Sequence, residues 1–172
     1  MQVKKDNRGL SIIEVVIVIT ILAILGALMT AGISAAVSKP ADECANKMVA
    51  AFNNARVTTM GKQKIQLLIY EENSCVYLKK MIYSTKNDGT VNVDTQTTKI
   101  GAKDVKVTYK VQGDSSEIFL NGNPMQITFL RTTGGFNKLP AQNAYLEEII
   151  IKKGGKTRTI KVSYLTGKVV LE

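Results

Sequence analysis

Few residues in this chain are suited to chemistry, and the first is an acid where none is expected. Glu14 stands inside "RGLSIIEVVIVITILAILG", residues 8–26, where every residue from Leu10 onward is otherwise uncharged. Cys44 and Cys75 are the only thiols, and there is no histidine. Lys152, Lys153, Lys156, Arg158, Lys161 and Lys168 fall within one stretch that contains no acid. Without histidine the usual general base and commonest metal ligand are missing. Two distant cysteines do not make a zinc site. No catalytic residue, metal site or cofactor is expected, which leaves binding and assembly as the function classes.

A carboxylate within an apolar helix is expensive and by default marks an ion or proton path. Such a path needs partner spans that the sequence does not supply. Two other roles stand. Glu14 can lie at a membrane edge and snorkel to water. Alternatively, a cut after Gly9 would make Leu10 a new N-terminus one helical turn before Glu14. The carboxylate would then gain the positive end of the helix dipole and could pair with an α-ammonium, its own or a neighbouring copy's. Such a pair sets register more than it adds stability.

The element that positions Glu14 is long. Residues 10–37 contain no other charge, and as a helix these 28 residues would span roughly 42 Å, more than a bilayer core of about 30 Å. That exceeds the apolar region of a secretory signal. Lys4, Lys5 and Arg8, against Asp6, leave residues 1–9 at +2 of the chain's +9. These cations place the N-terminus in the cytoplasm and the remainder outside, as a single-pass protein of the cytoplasmic membrane. The run is bulky and largely β-branched to residue 25. It then turns to Gly26, Ala27, Ala31, Gly32, Ser34, Ala35 and Ala36, small residues that let helices approach closely.

Gly9-Leu10-Ser11-Ile12-Ile13-Glu14, after a basic leader and before an apolar stretch, resembles the processing site of type IV prepilins and pseudopilins. The resemblance implies a prepilin peptidase that cuts between Gly9 and Leu10 and methylates Leu10, where many members have Phe. It implies that Glu14 pairs with a neighbour's N-terminus during assembly. It also implies other pilin subunits and an inner-membrane assembly platform as partners, and a cell-surface filament as the destination. Many members carry a proline where Ala31 stands. Here Pro40 follows nine residues later, so a kink is expected at Lys39-Pro40.

Beyond Pro40, Val49, Ala50, Phe52, Asn53, Arg56 and Val57 give a weak amphipathic stripe with Gly61 as its stop. The period then changes to two. Residues 64–70 and 74–83 read as a hairpin around residues 71–73, and Asn87-Asp88-Gly89 marks a turn. Residues 105–111 alternate cleanly. Asn121-Gly122 separates residues 117–120 from 125–130 and is a strong turn signal. Residues 147–152 and 156–164 flank Gly154-Gly155, and Thr166-Gly167 leads into residues 168–171. About eight strands without βαβ alternation predict an α+β fold, a long N-terminal helix packed on an antiparallel β-sheet head. The expected divisions are a leader at 1–9, a membrane and filament-core helix at 10–37, an amphipathic half at 38–60 and a β-rich head at 61–172.

Residues 50–70 ("AAFNNARVTTMGKQKIQLLIY") are similar to the helix end and first strand of H-type minor pseudopilins and FimT-like minor pilins. Residues 127–137 ("ITFLRTTGGFN") and 149–172 resemble the C-terminal part of the same group. This implies a minor subunit at a filament tip or in priming, in a pilus, a secretion pseudopilus or a competence filament. Cys44 and Cys75 face an oxidising compartment in this topology, either bridged or as two buried free thiols. The basic C-terminal hairpin is either a solvated edge whose lysines prevent aggregation or a DNA-binding surface for uptake. A monomeric membrane-anchored β domain, with an accidental Gly9-Leu10 match, is the remaining alternative.

Overall fold

The computed structural model describes residues 12–61, 63–86 and 89–172, with the side chains of 26–38 outside the description. One helix, α1 (Ile12–Met60), is followed by nine strands: β1 (Lys64–Glu72), β2 (Cys75–Thr85), β3 (Val91–Gly101), β4 (Lys106–Val111), β5 (Asp114–Phe119), β6 (Met125–Thr128), β7 (Leu146–Lys153), β8 (Lys156–Ser163) and β9 (Lys168–Leu171). Residues up to 36 form one compact unit and residues 37–172 another.

In the first unit the helix starts with Glu14 in its opening turn. Pro40, already in the second unit, lies within α1 and has no N–H to offer the carbonyl four residues back.

In the second unit every strand pairing is antiparallel, and there are two sheets rather than the one expected. Their orders are β3-β2-β1-β6 and β5-β4-β7-β8-β9. The β1–β2 hairpin closes through Asn73 and Ser74, both at positive φ, with Glu72 opposite Cys75. Two such residues make the turn whose twist matches that of the strands. Gly154 and Gly155 do the same between β7 and β8. The Asn121-Gly122 turn forms, with the Asn123 N–H donating to the Leu120 carbonyl at 3.2 Å. It does not make a hairpin, because β5 pairs with β4 and β6 crosses to β1.

One hydrophobic core joins residues 41–55 of α1 to both sheets. The helix buries Ala41, Cys44, Ala45, Met48, Phe52, Ala55 and Thr59, steps of three, four and seven that follow one face of a 3.6-residue period. This corrects the expected stripe: Val57 is exposed and Val49 only partly covered. Small side chains on this face allow close approach, as at Gly101, where an added Cβ would lie 3.3 Å from the Cys44 sulfur and 2.8 Å from Val76 Cβ. Phe52 meets Phe136 edge-on at 6.0 Å between centroids, and Phe129 meets Phe136 at 4.7 Å. Gly61 ends the helix, its N–H donating to the Val57 carbonyl.

Candidate assembly surface

From Ile12 to Leu25 the helix carries eleven large apolar side chains, each at least 42% exposed, from Val15 at 42% to Ile12 at 85%. Val15, Val16, Ile17, Val18 and Ile19 are consecutive, so at 3.6 residues per turn they cover every side of the helix. A helix apolar all round needs cover all round. Burying eleven such side chains is worth on the order of 20 kcal/mol at about 2 kcal/mol each. Lipid, or a sleeve of neighbouring helices, meets that requirement. Thr20 spends its hydroxyl internally, donating to the Val16 carbonyl at 2.7 Å.

Glu14 is exposed in the first turn, where the unsatisfied N–H groups of the helix end favour a negative charge. Gly9 and Leu10, the expected scissile pair, lie outside the described residues, as do the side chains of the small-residue stretch 26–36. Among the described residues no helix is long and apolar enough to cross a membrane; part of the expected span, 10–37, lies outside them.

Residues 4–30 match the family model described as the prokaryotic N-terminal methylation motif. The chain carries the N-terminal motif of type IV prepilins and pseudopilins. The motif supports a pilin-like subunit processed as a prepilin. No curated protein and no solved structure matches the chain. The exposed Glu14 and the apolar helix surface fall inside the matched segment.

The other candidate residues lie in the second unit. The six C-terminal cations do not share one open surface. Lys156 Nζ donates to Asp42 Oδ2 at 2.7 Å and Arg158 Nε to Asp42 Oδ1 at 2.5 Å. Together these cations hold the Asp42 carboxyl below its usual pKa. Lys152 pairs with Glu117 at 3.2 Å, Lys153 with Asp104 at 3.7 Å and Lys161 with Glu172 at 2.8 Å. Glu117 also accepts from the buried Thr108 hydroxyl, and with Lys152 this lowers its pKa. Among the described residues only Lys168 of the six has no carboxylate partner. The hairpin's charge is thus largely spent within the chain, chiefly in tying β8 to α1.

Cys44 and Cys75 are both free and both buried in the structure. Burial pushes the Cys44 thiol up to about 12. Among the described residues no cluster of three or more metal-ligating side chains occurs.

Sequence reasoning missed Asp42, the anchor of the C-terminal hairpin. Its partners lie 114 and 116 residues away, a separation no local pattern encodes. It also read Gly167 only as a turn, and Gly134 and Gly135 only as part of the 127–137 resemblance. A Cβ on Gly135 would sit 2.6 Å from the Leu165 carbonyl oxygen, and one on Gly167 would overlap the Gly134 carbonyl. Phe136 N–H donates to the Tyr164 carbonyl at 2.8 Å across the same contact. These glycines let the loop after β6 lie directly on the β8–β9 turn, beside Arg56 and Met60 of the helix.

Proposed function

We propose that this chain is a minor pilin or pseudopilin, cut between Gly9 and Leu10, methylated on Leu10 and polymerised through its N-terminal helix. The observation that carries the proposal is the coincidence of the matched motif with a helix whose apolar surface is open on every side. Lipid covers that surface before assembly, with the N-terminus inside and the β head outside the cytoplasmic membrane. Neighbouring helices cover it afterwards. Glu14 then neutralises the α-amine of an adjacent Leu10, and because breaking a buried pair is costly the contact fixes axial register. Copies related by a rotation that does not close build an open fibre. The subunit contributes surface and register rather than catalysis.

The minor-subunit assignment rests on resemblance in residues 50–70, 127–137 and 149–172. It is supported by the way Gly134, Gly135 and Gly167 bring parts of all three together beside Arg56 and Met60. DNA binding through the C-terminal hairpin is the weaker reading, since five of its six cations already face carboxylates.

Glu14→Ala tests the assembly role. The variant should insert in the membrane and be processed, yet enter sheared filaments poorly. Normal incorporation would remove Glu14 from the mechanism.

A further inference from the structure

The face of the four-stranded sheet that points away from the core is unlike the rest of the surface. Strand alternation places Lys64 and Tyr70 of β1 on it. Tyr77, Lys79 and Tyr83 of β2 and Lys99 of β3 join them. Its only acid is Glu72, at the hairpin end. Among the described residues none of the three lysines pairs with a carboxylate, in contrast to the C-terminal hairpin. Tyr70 and Tyr77 stack at 5.7 Å between centroids, and Lys64 Nζ lies 5.2 Å from the centroid of Tyr83. Beyond Leu68 the face runs into a cleft of about 440 Å³ lined by the amides of Asn123, Gln126 and Gln142.

We propose that this face and its cleft bind an acidic polysaccharide, the lysines meeting its carboxylates or phosphates and the phenol hydroxyls and amides its hydroxyls. Charge selects an anion: three cations without a carboxylate partner, of which Lys99 is hydrogen-bonded to the Cys75 sulfur, stand against one peripheral carboxylate. The cleft is lined mainly by apolar groups, Leu68, Pro124, Pro140 and Ala141 among them, and the three amides set between them offer donors and acceptors to a polyhydroxylated ligand. Gln142 donates its amide N–H to Tyr109 Oη at 2.9 Å, which leaves the amide carbonyl to accept from a hydroxyl. Amides and phenols suit such hydroxyls because each can donate and accept. Single-stranded nucleic acid is the competing polyanion, and it needs aromatic faces open for base stacking. Each of these three rings already has one face occupied, two by each other and one by a lysine.

The test titrates the full chain, in nonionic detergent, with polygalacturonate, neutral dextran and oligothymidylate. Tyrosine fluorescence is the readout, since the chain has no tryptophan and three of its six tyrosines lie on the face. Polygalacturonate should bind, dextran much more weakly. Lys64→Glu with Lys79→Glu should weaken polygalacturonate binding about tenfold or more, as expected for reversing two contacts. The milder Lys64→Gln with Lys79→Gln should weaken it by a smaller factor and serves if the reversal perturbs folding. Lys161→Gln with Lys168→Gln should change nothing. Preference for oligothymidylate would overturn the glycan assignment. No binding of polygalacturonate, or equal binding by the wild-type and Lys64/Lys79 variants, would overturn the site.

Discussion

Gly167→Ala should be among the most damaging single-methyl additions in the head. Gly167 has φ of +68°, and a Cβ there overlaps the Gly134 carbonyl and lies 3.0 Å from Arg56 Cδ. Placing alanine in the left-handed region costs about 1–2 kcal/mol. Forcing a methyl into packed backbone adds about 1–3 kcal/mol, so the total is roughly 2–5 kcal/mol. Gly155→Ala is the internal control. Its φ is +78° but nothing lies within 4 Å of the added Cβ, so only the conformational cost of about 1–2 kcal/mol applies. Urea unfolding of residues 37–172, the unit with its own core, measures both. With a slope of about 2 kcal/mol per molar urea, the two midpoints should differ by roughly 0.5–1.5 M. Equal midpoints would refute the close approach of the 134–135 loop to the β8–β9 turn.

Phe52→Ala, which removes a fully buried ring from contact with Phe136, should cost about 3–5 kcal/mol by the same urea assay. Native protein should resist alkylation at Cys44 near pH 8, because its thiol titrates at about 12; rapid labelling, or a mass change on reduction, would contradict buried free thiols. Asp42 titrates below its ordinary 3.8 in the folded chain. Its stabilising contribution is therefore complete above that value and lost as pH falls through the lowered folded pKa. Protection of the β8 amides, taken against the intrinsic exchange rate at each pH, should accordingly fall in acid in the wild type. Asp42→Asn should show the lower protection already at neutral pH, with a smaller acid-dependent fall.

The sequence was most readable where a local rule decides the structure. The Gly154-Gly155 turn and the stop at Gly61 appear as expected, and Val105, Val107, Tyr109 and Val111 are all buried on one face, although Thr108 between them is buried too. The helix face was misread because Ala41, Ala45 and Ala55 carry little hydropathy, yet the sheets need their small size to approach. Strand β3 was missed because its residues Val91–Lys99 are exposed on both faces, so no apolar period of two exists to find. Strand partners were invisible for another reason. Asn121-Gly122 encodes a turn, but whether its flanks pair is set by β4 and β1, which compete for them. For the candidate surface, Glu14 and the apolar run were legible because their meaning lies in spacing. The Asp42 clamp joins residues more than a hundred positions apart and had no such signal.

The central claim is that this chain begins its working life at Leu10. The mature protein should be purified from cells that contain a prepilin peptidase, and its N-terminal peptide measured by mass spectrometry. The first residue should be Leu10 carrying one added methyl group, and this product should be lost in a Gly9→Val variant. A mature chain that still begins at Met1 in such cells would contradict the claim.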